Sequence, residues 1–559
     1  MDRTLNRRRL LTHLTSVAGL SPAVGLIPAV GGIAAGGLWG AGLSMNSASG
    51  GAAGSDGDEE IRLQPRGFGT PQSPSGVLRV RLEMEIKGNL HLARDPLASR
   101  AVDMKLPIVA DGVFDYEERA HRIGDRCLAE RAYHVAGSDA RINRRLVQNR
   151  LRDSVRRMIV DRGVAPETIF SPGGHLRRDE LELLHSPISS VEVDRWLPTD
   201  ATRIGRSHDV SLSDAAAVLN LSAVHVSDLT LETVDITDDE VKFEIRGEVE
   251  GAAAGVPTTM DVVGKINFDR RQSTTSWLAL AIKERRDIGV AEPGFELSSV
   301  VKMLRTGVPQ PKRLTSVAVR DLSAHIDRIR TAGPGGSIDP NQLVQIDAKE
   351  IGVSAMMDRR WRSMSDLAGS AVWRMSQNDR GLAQCDLREL PDLPAGKVMT
   401  RDGFIEQVRT TLGSQLREIT AADDRQTTSG LRVVSVTAAG EVEGIGIAWS
   451  LAHIVDPVTD RRVLATFTLK ADELPTFAGC DAQLIETLAF APDRDDAAGP
   501  SITGEGSGES KIPSGMDSTK STAAMNHSAA EAKIAQKHRN AKKAARSQAS
   551  GIKSSSDLR

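Results

Sequence analysis

The sequence predicts an α+β protein, in which a β-rich antiparallel region precedes a smaller α/β region and both chain ends are disordered. Three observations predict this arrangement. Apolar and charged residues alternate along several segments of residues 77–305. Residues 342–494 combine such segments with two of helical period. A Pro- and Gly-rich linker, residues 306–341, separates the two regions.

The composition is that of a globular protein with a polarised charge. Of its 559 residues, 40% are hydrophobic and 26% are charged, which suffices for sizeable cores without a disulfide or metal staple. Aromatic residues make up only 3%, which disfavours base-stacking surfaces, so we expect no specific nucleic-acid partner. The formal net charge of −3 conceals a basic end, because residues 511–559 carry ten Lys or Arg against three acidic residues.

The N-terminal residues 1–49 resemble a twin-arginine export signal. Residues 6–11, Asn-Arg-Arg-Arg-Leu-Leu, place two arginines ahead of a variable residue and an apolar pair, and a Gly- and Ala-rich apolar stretch follows at residues 17–43. Residues 50–76 are interpreted as a linker after cleavage. This predicts a periplasmic or cell-envelope protein. The alternative is an uncleaved N-terminal membrane anchor, because residues 17–43 are long enough to span a bilayer.

Within residues 77–305, the clearest strand covers residues 77–87, where apolar side chains alternate with Arg, Glu and Lys. The same period predicts strands at residues 241–249, 260–268 and 277–282. Together they favour an antiparallel meander with one wet face.

Two further segments of this region predict other structure. Residues 212–219 predict a short helix that Ser211 or Ser213 can cap. Residues 141–162 hold eight arginines and two aspartates among apolar residues, and this pattern fits either a helix or paired strands.

Motifs of the β-rich region resemble uncharacterised secreted planctomycete proteins. The residues that carry the resemblance are Ser171-Pro172-Gly173-Gly174-His175-Leu176-Arg177-Arg178-Asp179-Glu180-Leu181-Glu182-Leu183-Leu184, Trp196-Leu197-Pro198, Ile204-Gly205, Ile282-Lys283-Glu284-Arg285-Arg286, Ile288-Gly289 and Pro293-Gly294-Phe295. The resemblance implies a β-rich envelope domain and favours strands for residues 141–162. Arg206-Ser207-His208 departs from the family, where an aromatic residue often follows the glycine. That family has no established activity, so it supplies no functional residue.

Residues 342–494 predict a helix-on-sheet fold. The predicted strands are residues 371–375, 382–390, 431–438, 444–453 and 462–470, and the predicted helices are residues 402–418 and 481–488. Phe404, Val408, Leu412 and Leu416 recur every fourth residue and give the first helix one apolar face. This order of elements resembles PsbP-like α/β sandwiches, whose members include binding and assembly factors.

Candidate catalytic residues are few and scattered. The chain contains no GxSxG elbow, phosphate-binding loop, HExxH motif or EF-hand loop. One enzymatic hypothesis gathers His175, His208 and the carboxylates Asp235, Asp238, Asp239 and Glu240 into a dispersed active site of a hydrolase or transferase. A polar hairpin turn before a strand is the simpler interpretation of residues 235–240.

Three other polar sets have plain interpretations. Ser450, His453 and Asp456 lie near one another, but residues 450 and 453 point to opposite faces of a strand, which disfavours a relay. His185 has no partner at a useful spacing. Residues 283–287 are interpreted as a solvated strand end, with an ion-pair network or partner surface as the alternative.

The three cysteines, Cys127, Cys385 and Cys480, show no metal or redox spacing, so the sequence predicts no metal and no cofactor. Cys385 with Cys480 is the only candidate disulfide within one region.

These observations predict an exported envelope protein that acts as a non-enzymatic binding or assembly factor. Its disordered basic tail, residues 495–559, is expected to meet an anionic membrane surface or a wall polymer, or else to serve solubility alone. The folded regions are expected to offer a sheet edge or concave face to a protein or an apolar ligand.

Overall fold

A computed structural model describes residues 60–63, 75–92, 104–123, 126–161, 167–315, 343–394, 396–477 and 479–491. All of them fall within the first of two units of the chain, residues 1–493, and the second unit, residues 494–559, contains no described residue. The predicted signal and the predicted basic tail therefore lie outside the described residues.

The first part of the described chain is built from strands. In chain order they are β1 (Ile61–Arg62), β2 (Val77–Leu92), β3 (Met104–Ile123), β4 (Arg126–Ile142), β5 (Arg145–Arg150), β6 (Arg157–Asp161), β7 (Thr168–Phe170), β8 (Leu176–Arg177), β9 (Ala201–Thr202), β10 (Ser207–Asp209), β11 (Ala223–Ser227), β12 (Thr230–Ile236), β13 (Glu240–Ala253), β14 (Val256–Asp269), β15 (Thr274–Arg286) and β16 (Gly294–Val308).

The second part adds ten strands. They are β17 (Leu343–Ala348), β18 (Val353–Asp358), β19 (Trp361–Leu367), β20 (Ser370–Gln377), β21 (Arg380–Glu389), β22 (Leu416–Gln426), β23 (Arg432–Val442), β24 (Ile445–Val455), β25 (Arg462–Lys470) and β26 (Ala489–Phe490). The α-helices of the described residues are α1 (Arg178–Leu183), α2 (Leu212–Val218), α3 (Arg401–Leu412), α4 (Leu474–Phe477) and α5 (Cys480–Thr487). Short 3-10 turns cover Asp153–Val155, Val193–Trp196, Gly413–Gln415 and Ala471–Glu473.

A thirteen-stranded antiparallel sheet dominates the first part. Its path is β10-β12-β13-β14-β15-β16-β2-β3-β4-β6-β7, while β5 pairs with β4 and β11 pairs with β13 beside that path. In β2, Val80, Leu82 and Met84 are buried while Arg81 and Glu85 are exposed, which confirms the predicted half-buried strand. The other three predicted strands lie within β13, β14 and β15. The β-rich antiparallel architecture is therefore confirmed.

Residues 141–161 of the arginine-rich segment form strands and turns, one of them a 3-10 turn at Asp153–Val155, and residue 162 lies outside the described residues. β4 ends at Ile142, β5 follows after two residues, and β6 begins at Arg157. Of the two structures open at the sequence level, the paired strands favoured by the family resemblance are the ones present.

Two short helices line one face of the large sheet. Leu181 and Leu183 of α1, and Val218 of α2, belong to the same apolar cluster as the sheet residues Met84 and Phe243. The helix predicted at residues 212–219 is confirmed, and the side chain of Ser211 caps it by accepting the backbone N–H of Asp214 at 3.1 Å.

A seven-stranded antiparallel sheet, β19-β20-β21-β25-β24-β23-β22, forms the second part. Helix α3 covers one face, where Phe404 and Val408 pack with Val436, Trp449 and Leu451 in a separate apolar cluster. The other face, with Trp373 and Phe467, shares the main cluster with α5 and the β17–β18 hairpin. The predicted helix-on-sheet packing is present.

Helix α3 is shorter than the sequence predicts. It ends at Leu412, and the predicted extension to Glu418 was wrong. Gly413 has a positive φ of 52°, which a glycine adopts without a steric cost, and Leu416 then begins β22. Leu416 continues the four-residue spacing by coincidence. The strands β17, β18, β19 and β22 were not predicted.

Backbone pairing joins the two parts. A small sheet, β26-β18-β17-β8, contains the parallel pair of β17 with β8, in which Val344 lies opposite Leu176. The side chain of Arg178 donates to the carbonyl oxygen of Arg359 at 2.8 Å, and Arg362 bonds to Glu292 at 3.0 Å. The predicted independent folding of residues 77–305 and 342–494 stays a prediction, and these contacts give the two parts an interface.

The predicted linkers contain ordered residues. In residues 50–76, the strand β1 pairs with β9, and Ile61 lies opposite Thr202. In residues 306–341, strand β16 continues through Val308, and residues 309–315 are described. The rest of both linkers, apart from Glu60, Leu63, Ser75 and Gly76, lies outside the described residues.

Cys385 and Cys480 are both buried free thiols, so the candidate disulfide between them is not formed. Burial raises the pKa of Cys480 to about 12, which makes the thiol unreactive at neutral pH. Within the described ranges, none of the helices has both the length and the apolar character that a bilayer crossing requires.

Candidate functional site

The carboxylates of residues 235–240 lie around the turn between β12 and β13, as the simpler interpretation predicts. The ammonium group of Lys242 contacts Asp235 at 3.0 Å and Glu240 at 3.1 Å. Asp239 pairs with Arg271 at 2.5 Å. Three of the four carboxylates thus contact a neighbouring cation, with Lys242 shared by two of them, and no hydrogen bond or ion pair described for them reaches a histidine.

The histidines of the enzymatic hypothesis have local roles. His208, on β10, bonds through Nε2 to the Thr202 hydroxyl at 2.8 Å. His175 is exposed in the turn before β8, where its carbonyl oxygen accepts a bond from Arg152 at 2.9 Å. Burial and the charge of Arg178 lower the pKa of His185 to about 4, so this imidazole is neutral. Among the residues described, no group of three His, Cys, Asp or Glu is placed to hold a metal ion.

Ser450 and His453 do point to opposite sides of β24. The hydroxyl of Ser450 donates to Asp481 at 2.7 Å, on the face covered by α5. His453 is buried on the α3 face, with its ring 6.1 Å from the ring of Phe404. Asp456 accepts the backbone N–H of Val458 in the following turn. No nucleophilic relay is assembled from these three residues.

The charged run 283–287 forms a strand end, as expected. Lys283 contacts Asp261 of the neighbouring strand at 3.4 Å, and Arg286 bonds to Glu284 at 2.7 Å. Lys283 and Asp261 are both exposed, so their pair is solvated and contributes little stability. The Arg286–Glu284 pair is more buried, with 20% and 11% of the side chains exposed, so an ion pair is also present at this strand end.

A buried polar network around Arg131 was not predicted. The guanidinium group donates to Glu118 at 2.7 Å, to Glu167 at 3.0 Å and to the Ser190 hydroxyl at 3.2 Å. Only 4% of the Arg131 side chain is exposed. Burial alone would lower the pKa of Arg131, but the carboxylate of Glu167 and its neighbours hold that pKa well above its usual value, so the group is charged.

The two tyrosines of the chain, Tyr116 and Tyr133, both belong to this network. The hydroxyl of Tyr116 donates to Ser190 at 2.9 Å, the two rings lie 4.9 Å apart, and the Arg131 guanidinium lies 5.3 Å from the Tyr116 ring centre. Burial raises the pKa of Tyr133 to about 12. Because each group is engaged by another group of the network, the network ties β3 and β4 to residues 167 and 190. It offers no free nucleophile or base.

The hairpin of β4 and β5 is exposed, unlike the buried network around Arg131. Its two-residue turn, Asn143-Arg144, has positive φ angles of 41° and 77°, and Ile142 lies opposite Arg145. This is the geometry of a type I′ turn, in which glycine is the usual second residue. Arginine occupies that position here. We call residues 141–146 the basic tip.

Seven of the eight arginines of residues 141–162 are described, and they divide into two groups. Four are held by carboxylates, in the pairs Arg150 with Asp139 at 2.6 Å, Arg152 with Glu180 at 2.7 Å, Arg156 with Asp153 at 2.8 Å and Arg157 with Glu130 at 2.6 Å. Arg141, Arg144 and Arg145 are exposed and have no carboxylate partner among the described residues. The sequence signal was the density of arginine, but composition alone did not separate the paired from the unpaired ones.

Comparison with known proteins assigns no family. No protein-family model matches the chain, and no curated protein matches it in sequence. The resemblance to planctomycete proteins therefore stays a prediction from motifs.

Similar solved structures include PsbP of Synechocystis sp. PCC 6803, with 12% identity and a TM-score of 0.22 over 28% of this chain and 98% of that chain. A mutant porin of Rh. blastica has 7% identity and a TM-score of 0.09 over 70% of this chain and 99% of the porin. The translocator domain of autotransporter NalP from Neisseria meningitidis has 5% identity and a TM-score of 0.10, over 71% and 88% of the respective chains. These similarities are too remote to carry an argument about function.

Proposed function

We propose that this chain is a non-enzymatic binding factor of the bacterial cell envelope that attaches to an anionic surface. The observation that carries the proposal is the basic tip, where Arg141, Arg144 and Arg145 have no carboxylate partner among the described residues. Exposed arginines at the end of a hairpin attract anions when none of the described carboxylates competes for them.

The sequence supports the proposal at both ends of the chain. Residues 1–49 resemble an export signal, which supports a location in the periplasm or, if the signal is uncleaved, at the membrane. Residues 511–559 carry ten Lys or Arg against three acidic residues and form a second basic element. Two basic elements on one chain bind one surface more tightly than either alone, since the second contact is intramolecular.

The two folded regions serve as a scaffold in this proposal. For residues 342–494 we propose a PsbP-like arrangement, supported by helix α3 between β21 and β22 and by its packing on the seven-stranded sheet. Such a region is suited to hold a protein partner or an apolar ligand at a sheet edge.

A hydrolase or transferase with a site at His175, His208 and residues 235–240 is the alternative. It has less support, because three of the four carboxylates already form ion pairs with Lys242 or Arg271. A catalytic carboxylate needs access to a substrate proton, which such ion pairs reduce.

The experiment compares retention of the full chain on isolated envelope fractions at low and high salt. The test variant is Arg141→Gln, Arg144→Gln and Arg145→Gln, which we call the triple tip variant. The control removes three exposed arginines that are paired with Glu83, Glu232 and Asp239, namely Arg81→Gln, Arg246→Gln and Arg271→Gln.

Both variants lose the same net charge, so they separate local recognition from general electrostatics. We expect the triple tip variant to be retained much less than the control at low salt, and all forms to be released at high salt. Retention of the wild-type chain that salt does not reduce would contradict an electrostatic attachment.

A further inference from the structure

We infer that the basic tip docks on an anionic lipid bilayer, with its three arginines at the phosphate groups and Leu146 in the boundary between headgroups and acyl chains. The inference rests on the proposed function and deepens it, because it chooses lipid over an anionic wall polymer. Three features of the hairpin carry it.

The first feature is the turn itself. Arg144 has a φ of 77°, a left-handed conformation that side chains other than glycine rarely adopt. Asn143 before it also has a positive φ. This two-residue turn places a guanidinium group at the outermost point of the hairpin, where glycine would satisfy the backbone better. The turn therefore projects Arg144 beyond the last residue pair of the hairpin, Ile142 and Arg145.

The second feature is an apolar side chain among the arginines. Leu146 is 54% exposed and lies directly opposite Arg141, which lies opposite Val109 on the next strand. Residues opposite one another share a face of the sheet, so Val109, Arg141 and Leu146 form one row. Val109 is itself 48% exposed. A polysaccharide would satisfy the arginines but would offer no apolar phase to Leu146, whereas a lipid boundary offers both.

The third feature limits how deeply the hairpin can enter. On the same face and two residues further from the tip, Glu85 lies opposite Asp111, which lies opposite Asp139. All three are exposed. Arg150 pairs with Asp139 of this row, and the carboxylates of Glu85 and Asp111 leave it acidic. The row stands about 7 Å behind the row of Val109 and would be repelled by an anionic surface. Contact is therefore confined to the basic tip and its single leucine.

Vesicle binding by the full chain tests the inference. The probes are vesicles of phosphatidylcholine with phosphatidylglycerol, and vesicles of phosphatidylcholine alone. We expect binding only to the anionic vesicles, a loss of about 100-fold in affinity for the triple tip variant, and a loss of about fivefold for Leu146→Ser. The matched control is Val263→Ser, which removes an apolar side chain that is 59% exposed on β14, and it should bind as the wild type does.

A direct readout of insertion uses Leu146→Trp. Its fluorescence should shift to the blue with anionic vesicles, while that of Val263→Trp should not. Absence of that shift, or equal anionic-vesicle affinity of the wild type and the triple tip variant, would overturn the inference.

Binding to dextran sulfate, a soluble anionic polysaccharide, is measured as well. It distinguishes failure of the lipid inference from failure of the proposed attachment to an anionic surface. Tip-dependent binding to dextran sulfate without binding to vesicles would exclude lipid and leave the anionic attachment standing. Failure to bind either probe would remove both.

Discussion

The carboxylate of Glu117, on β3, accepts the backbone N–H of Leu314 at 2.8 Å, although 197 residues separate the two in sequence. The same carboxylate accepts the N–H groups of Lys312 at 2.9 Å and Arg313 at 2.8 Å. Only 1% of the Glu117 side chain is exposed. Burial alone would raise its pKa, but these three donors and His134 hold the pKa below its ordinary value of 4.5. These bonds hold residues 312–314, which follow β16, on the large sheet. We call the contact of Glu117 with residues 312–314 the clasp.

Replacement of Glu117 by glutamine should lower the free energy of unfolding by about 2 to 3 kcal/mol, because bonds to a charged acceptor become bonds to a neutral amide. Urea denaturation measures the loss, and hydrogen exchange at residues 312–314 should accelerate. The matched control is Glu83→Gln, whose side chain is 43% exposed and should matter by less than about 0.5 kcal/mol. Unchanged exchange at residues 312–314 would rule out the clasp.

The same clasp predicts a pH dependence. Because the pKa of Glu117 is lower in the folded than in the unfolded state, its stabilisation is complete above about pH 4.5 and is lost as the pH falls through the folded pKa. The free energy of unfolding of the wild type should therefore decline more steeply below pH 4.5 than that of Glu117→Gln. Parallel pH profiles of the two proteins would show that Glu117 keeps an ordinary pKa.

Arg131→Ala should destabilise the protein by about 3 to 5 kcal/mol, because it leaves the buried carboxylates of Glu118 and Glu167 without their cation. Thermal and urea unfolding measure the effect. Arg285→Ala, which removes an exposed arginine of β15, should change stability by less than about 0.5 kcal/mol. A loss below about 1 kcal/mol for Arg131→Ala would mean that the network relaxes or admits water.

The two tyrosines give this network a spectroscopic signature. Burial raises the pKa of Tyr133 to about 12 and that of Tyr116 further still. The ultraviolet absorbance of tyrosinate should therefore stay absent from the folded protein well above pH ~10, where free tyrosine ionises. The denatured chain should titrate near pH ~10 and serves as the control. Ionisation of one tyrosine of the folded protein at that pH would place it outside the buried network.

His453 predicts a second pH dependence, in a different range. Burial and the charge of Arg462 lower the pKa of His453 to about 4, below its ordinary value of 6.5. Since the unfolded state then binds the proton more readily, the stability that the neutral imidazole contributes is present above pH 6.5 and is lost as the pH falls toward 4. His453→Leu should flatten the stability profile in this window. Histidine NMR measures the pKa directly, and a value near 6.5 would contradict the prediction.

Limited proteolysis tests the boundary between the two regions. Trypsin should cleave after Arg320, Arg328 or Arg330, in the segment whose Pro and Gly content predicts a linker, and should spare Lys312 and Arg313 in the clasp. Because Arg362 bonds to Glu292 and β17 pairs with β8, we expect the two fragments to stay associated on gel filtration. Fragments that separate would show that these contacts do not hold the regions together. Resistance of the whole segment would contradict the linker.

The sequence was informative where a pattern is local. The alternation in β2 and the cap of α2 by Ser211 both depend on residues within one element, so their prediction succeeded. The prediction missed strand β22, because it relied on local patterns. The buried residues of β22 do not recur with a period of two, and its Asp and Arg residues are typical of a loop. As an edge strand it is largely exposed, and pairing with β23 rather than apolar content holds it in place.

The polar network and the basic tip could not be predicted in full, because they depend on residues that are distant in the sequence or on strand register. Arg131 looks like an ordinary charged residue of an alternating strand, and its partner Ser190 lies 59 positions away. Nothing near Arg131 in sequence marks it as buried. The basic tip was visible as a concentration of arginine, but only the register of β4 with β5 shows which arginines are left without carboxylates. Pairings of this kind follow from tertiary structure, so a single sequence does not contain them in readable form.

The parallel pair of β8 and β17 also has a consequence for the order of assembly. The two residues of β8 are synthesised early, but they pair with Val344 and Gln345, which are synthesised roughly 170 residues later. Closing so long a loop costs conformational entropy before the pairing of β8 with β17 contributes any stability. This pairing should therefore form after the thirteen-stranded and the seven-stranded sheets. We therefore expect the docking of one sheet system on the other to follow the folding of each, as far as the described residues are concerned. If the protein were exported before this step, the edge of β17 that later pairs with β8 would be unpaired. That edge could then pair with strands of other molecules.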